Sequence, residues 1–338
     1  MTRSFTSTQT YHVQTEPLIH WPEPIIEYLG FVAQFLAVGS VGFRYAAVRG
    51  RLDAAATPSN ASGESDAGER RVYADTCARA AAIGAAGAVV GAMLFASSLP
   101  ERAARAHTSP RALLTNNLPI GLQAVLTIVG IIGLVLAARR WRAGWAVAAT
   151  GVIFAPLSAI VSGQWLRLVN PIHRVVGGLW LGTLCVLLVA GLAPLLHDDR
   201  VRDRRGAMAA DMVHGFSPLA LWCGMLVVVS GLVTSWRHLN PLSSLWTTAY
   251  GWVLIVKLAL VTVVFGLGAW NWRWQRPSMG SESAAITMRR SATRELVATA
   301  LVLAATAILL SIPSPRPPRP PGQAPSGAPA RPAGLPPS

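Results

Sequence analysis

The sequence predicts an all-α membrane protein, a polytopic bundle of about eight transmembrane helices with both termini on the outer side of the membrane. Three observations predict it. The chain has 338 residues, of which 52% are hydrophobic and 13% charged, where a soluble domain carries about 25% charged residues. The apolar residues gather in eight segments, 25–47, 77–98, 118–138, 143–164, 173–196, 213–236, 250–272 and 294–312, and a helix needs about 20 such residues to cross the hydrocarbon core. The arginines lie between those segments and are distributed unevenly.

In chain order, residues 1–24 form a polar outer segment with no small-residue cleavage pattern, so the first apolar run is expected to stay as an anchor. Residues 25–164 hold the first four helices, interrupted by a polar loop, 50–76, rich in Ala, Ser, Gly and Asp. Residues 165–313 hold the other four. From 314 to 338 the chain is dominated by Pro, Gly, Ala and Ser, which cannot build a core and predict an extended, solvated tail.

The arginine distribution sets the orientation. With the N-terminus outside, the inner segments carry 18 arginines and the outer segments 10, which places both termini outside by the positive-inside rule. The net charge of +14 is therefore read as a topology signal and not as a nucleic-acid surface; the expected partner is membrane lipid. Cys77, Cys185 and Cys223 are scattered and form no CxxC, so neither a disulfide framework nor a zinc site is implied. Motifs for a serine hydrolase, a zinc protease, a P-loop or a dinucleotide fold are absent from the sequence, so no enzyme is expected, and ATP-driven pumping by this chain is not.

Chemistry-bearing residues sit at helix ends or deep in apolar runs. His173 and Arg174 stand at the outer mouth of the fifth segment, where a neutral imidazole can ligate a metal or cofactor and a guanidinium cannot. Arg174 is expected to orient the helix end at the interface. His238 and His20 fall on the same side, beside Trp236 and Trp21, as interfacial residues often do. His197 and His214 fall on the inner side, about 30 Å away. Lys257 is the only lysine and lies about two turns into the seventh segment, where an ammonium must snorkel to the interface or face the bundle. Glu27 and Gln34 share one face of the first helix and are expected, with Lys257, to line an intramembrane polar path; Glu27 is a candidate partner for Lys257. Cys185, Cys223 and Met225 lie near the middle of consecutive helices, where soft sulfur can ligate a soft metal ion or simply pack. Glu295 opens the last helix, where the helix dipole favours a carboxylate.

The second half carries an ordered set of motifs. "HRVVGGLWLGTL" (173–184) is followed by "FSPLAL" (216–221), the pair Ser230 and Gly231, "TAYGWVLIVKLAL" (248–260), "LGAWNWRWQRP" (267–277) and "MRRSATRE" (288–295). Taken in order, over about residues 170–313, this set resembles the copper resistance D family of bacterial inner-membrane proteins. The chain departs from the family's Asn-Arg pair, having Asn271-Trp272-Arg273, which moves the arginine about 100° around a helix. The resemblance implies a multi-pass protein of the inner (plasma) membrane that moves copper ions, accepting copper at the periplasmic face from a copper-binding protein of the copper resistance C type. Two alternatives stand beside it. One is a haem-b membrane electron carrier, which needs two axial ligands at matching depth, whereas these histidines lie at helix ends. The other is a metal-free assembly partner.

Overall fold

A computed structural model describes residues 21–49, 64–163, 168–238, 243–270 and 282–311. His20, the polar N-terminal segment, most of the loop that follows the first helix and the Pro-rich tail lie outside the described residues.

The described residues are helical, with no strand among them. Helix α1 (Glu23–Gly42) runs on into a π-helical turn, Phe43–Ala47. Helix α2 (Glu64–Arg105) is followed by the short α3 (Pro110–Asn116), α4 (Leu118–Ala138) and α5 (Arg142–Phe154). A continuous helix over Val169–Leu195, α6, follows; then come α7 (Arg205–His238), the single turn α8 (Ser244–Thr247), α9 (Ala249–Trp270) and α10 (Glu282–Ser311). Six helical stretches are long and apolar enough to cross a membrane, and Arg142–Phe154 and Val297–Ile308 are shorter apolar stretches. The chain is thus a multi-pass helical membrane protein, and six long spans with two shorter ones accommodate the eight expected.

Local chemistry explains where the helices differ from the apolar segments. Ser109 caps α3, accepting from Ala112 N at 3.2 Å, and Asn117 caps α4, accepting from Ile120 N at 3.2 Å. Helix α5 stops at Phe154, well before residue 164. Pro156 follows, lacking a donor N–H and disfavouring helix in the residue before it, and the chain continues as a 3-10 turn, Ser158–Ser162. Helices α2 and α7 start earlier than their apolar cores because their first turns are held by charge. Arg140 and Arg200 both reach Asp75, at 2.7 and 3.0 Å, Arg200 also bonds Asp198 at 2.7 Å, and Arg204 pairs with Glu69 at 2.5 Å. Tyr73 donates to Asp211 at 3.1 Å. This network ties the N-terminal turns of α2 and α7 to the α4–α5 turn and defines a basic end of the bundle.

The Asp198 carboxyl is held below the usual carboxylate range, chiefly by the hydrogen bond from Arg200. A lowered folded-state pKa contributes stability that is complete above the unfolded value and fades as pH falls through the folded one. The groups are partly exposed, so the effect is small: Arg200→Ala is expected to cost no more than about 1 kcal/mol. Melting curves of wild type and variant should differ at neutral pH and converge in acid, once the pH has fallen through the lowered Asp198 value. A difference that persists in acid would mean that Arg200 acts through something other than its carboxylates.

Helix α6 is the centre of the bundle. Of its most apolar stretch 78% is buried, against 44% or less for every other candidate span. Its Leu187, Leu192 and Leu195 pack with Phe43 of the first helix and Met212 of α7 as fully buried side chains. The crossing with α1 is a backbone contact. A Cβ on Gly182 would fall 2.0 Å from Phe35 O, and one on Gly39 would fall 2.1 Å from the carbonyl carbon of Gly182. Thr183 Oγ1 adds a hydrogen bond to Gly39 O at 3.3 Å. Gly178 and Gly182 have the small-xxx-small spacing that lets membrane helices approach this closely. They bound a π-helical stretch, Gly178–Gly182, and a second one follows at Leu187–Leu192.

Candidate functional site

The end of the bundle opposite the basic network holds the site. His173 lies in the second turn of α6, half-buried, with Nδ1 2.8 Å from Ser230 Oγ of α7. One turn earlier on α6, Asn170 Oδ1 accepts from Thr234 Oγ1 at 3.1 Å. Residues 170 and 173 and residues 230 and 234 are helical neighbours, so the two contacts form a short polar seam between α6 and α7. Lys257 of α9 is close enough for its charge to act on the imidazole. His173 and Ser230, from different motifs of the second half, thus touch across the α6–α7 seam, while Lys257 of a third motif lies on α9.

Below them the same three helices close against one another. Trp180, two turns along α6 from His173, meets Phe265 of α9 with ring centroids 4.8 Å apart. Gly224 of α7 leaves room for both rings: a Cβ there would sit 3.2 Å from Phe265 and 3.8 Å from Trp180. The polar cluster is therefore a cap over an aromatic floor.

Arg174 points the other way, toward α1. Its guanidinium lies over the Phe31 ring, 4.8 Å from the centroid, a favourable cation–π arrangement. Glu27 and Arg102 both act on it electrostatically. Glu27 therefore acts on Arg174, while Lys257 acts on His173. Gln34 keeps its amide nitrogen buried without a hydrogen-bond partner, as does Arg174 at Nε.

Two of the sulfur candidates lie on different faces of α7. Cys223 is 4% exposed and packed among apolar side chains, whereas Met225, two residues on and about 200° around the helix, is 49% exposed on the outer surface of the bundle. Cys185 is half-buried. Among the described residues no three His, Cys, Asp or Glu side chains are grouped to hold a metal ion. The side chain of His238 lies outside the described residues, as does His20. At the basic end, His197 is exposed, with Nδ1 2.8 Å from Ala193 O.

The hydroxyl of Ser230 is the residue that pattern reading undervalued. It stands in the motif beside Gly231, but only the packing of α6 on α7 shows that it touches His173.

Residues 210–309 match the family model of copper resistance protein D, so the resemblance read from the motifs is supported there. The match takes in Ser230 and Lys257, and His173 lies upstream of it. Over 153 residues the chain is 28% identical to the copper transport protein CutJ of Bacillus subtilis (strain 168), an alignment that covers 45% of this chain and 26% of that protein. The chain thus spans about a quarter of the length of the curated relative it matches. No solved structure matches the chain.

Proposed function

We propose that this protein moves copper ions across the bacterial inner membrane and accepts them at its periplasmic face. The observation that carries this reading is the contact of His173 with Ser230 in the half of the chain that overlaps the copper resistance D match. The printed name of the Bacillus relative, a copper transport protein, supports the same cargo.

The site offers one imidazole, a ligand for either copper oxidation state. Copper needs further donors, and His238 and His20 are the candidates, each expected on the same side of the membrane as His173. A periplasmic copper-binding protein of the copper resistance C type is the proposed donor. Lys257, protonated, cannot ligate; its proposed role is electrostatic, with Glu27 and Gln34 as the other polar groups of the outer half. Cys185, Cys223 and Met225 are proposed as no more than a secondary soft-ligand path.

The basic end is proposed to face the cytoplasm, because arginine-rich ends stay inside. Reporter fusions after residue 206 should read cytoplasmic and fusions after residue 240 periplasmic; the reverse pattern would put His173 on the wrong side for a periplasmic donor. The function is tested in a bacterial host lacking its own copper uptake and efflux systems. Expression should change cell copper content, with zinc and iron unaffected. Unchanged copper at confirmed membrane expression would reject the transport reading.

A further inference from the structure

Resting on the copper reading of His173, we infer that Ser230 is the positioning residue that fixes the His173 tautomer, holding the proton on Nδ1 and leaving Nε2 as the metal-binding nitrogen. Ser230 has one hydroxyl proton to place. Ser230 Oγ lies 2.6 Å from Leu226 O and 3.2 Å from Val227 O. Carbonyl oxygens only accept, so the single hydroxyl proton is committed to the carbonyl at 2.6 Å, a separation that two oxygens tolerate only with a proton between them. The oxygen of Ser230 is then an acceptor toward the ring, and the 2.8 Å contact is Nδ1–H donating to Oγ. A neutral imidazole carries one N–H, so Nε2 keeps its lone pair.

A histidine whose second nitrogen is held in this way has its ring orientation and its ligating atom set before the ion arrives. The back-bonded serine also gives α7 a reason to carry a hydroxyl at this position, where a packing role would be met by alanine. The ring edge lies along α7 at Gly231, where an added Cβ would be in ordinary contact with His173 Cε1, at 3.5 Å.

The test uses the full chain in lipid nanodiscs, labelled with 15N-histidine and free of copper. The His173 resonances are assigned by their loss in His173→Gln. At neutral pH Nδ1 should be protonated and Nε2 unprotonated; a proton on Nε2 overturns the inference whatever copper does. Cu(I) titrations against a chromophoric chelator form the second arm. Ser230→Ala should weaken Cu(I) binding about 10- to 100-fold, the usual cost of losing such a support, and Ser230→Thr, which keeps the hydroxyl, should restore it. Wild-type affinity in Ser230→Ala overturns the positioning role. Wild-type affinity in His173→Gln instead rejects the copper reading, and the tautomer measurement still judges Ser230 by itself.

Discussion

Alanine at position 182 is expected to cost this protein its fold. The Cβ it adds would fall 2.0 Å from Phe35 O and 2.8 Å from Phe35 C, both backbone atoms of α1. A backbone cannot rotate aside as a side chain can, so α1 and α6 must separate. Because α6 is the central helix, their separation opens the core that Phe43, Leu187 and Leu192 fill. Overpacking usually costs about 1–3 kcal/mol, and more where backbone must move; this contact belongs at the upper end. Gly39→Ala tests the same crossing from the other side, since its Cβ would meet Gly182 at 2.1 Å. Gly30, also on α1, has nothing within 4 Å of its Cβ position, so Gly30→Ala should be neutral or slightly stabilising. The comparison is read as yield of monodisperse, protease-resistant protein. Equal yields for Gly182→Ala and Gly30→Ala would show that the close crossing does not form.

His173→Ala is expected to abolish the change in cell copper content that the wild-type protein produces, while His197→Ala leaves it intact. His173 lies in the second turn of α6 and His197 just beyond its last residue, so the two flank opposite ends of one span and differ in surroundings. His173 touches Ser230 where α6 packs on α7; His197 is exposed at the basic end and bonds the carbonyl one turn back. Neither carries a large share of the core, so both variants should insert equally, and this is checked by membrane yield. Equal copper phenotypes at equal yield would reduce His173 to an interfacial residue.

Much of this was legible in the sequence, for reasons that differ by residue. The eight apolar segments show because lipid demands long uncharged runs, and His173 shows because a ring nitrogen at the mouth of such a run is out of place unless it has a task. What the sequence could not display is which face of an all-apolar helix meets which neighbour. Met225 and Cys223 look alike as mid-helix sulfurs, yet one faces outward and the other is buried. Arg174 looks like a helix-end anchor at the interface, yet packing lays its guanidinium over the Phe31 ring of α1. The α1–α6 crossing did leave a trace, the Gly178-x-x-x-Gly182 spacing, but Gly39 cannot be matched to it without the fold. The early starts of α2 and α7 were hidden because polar residues 64–76 read as loop until Asp75 and Glu69 find Arg140, Arg200 and Arg204.

The central claim is that His173 belongs to a copper site. Metal analysis of the purified full chain, with its visible spectrum, tests it most directly. The wild-type protein, loaded with Cu(I) and freed of excess, should retain copper in whole-number ratio to protein, show no Soret band, and lose that copper on His173→Ala but not on His197→Ala. A Soret band with stoichiometric iron, or copper retained equally by both variants, would contradict the account.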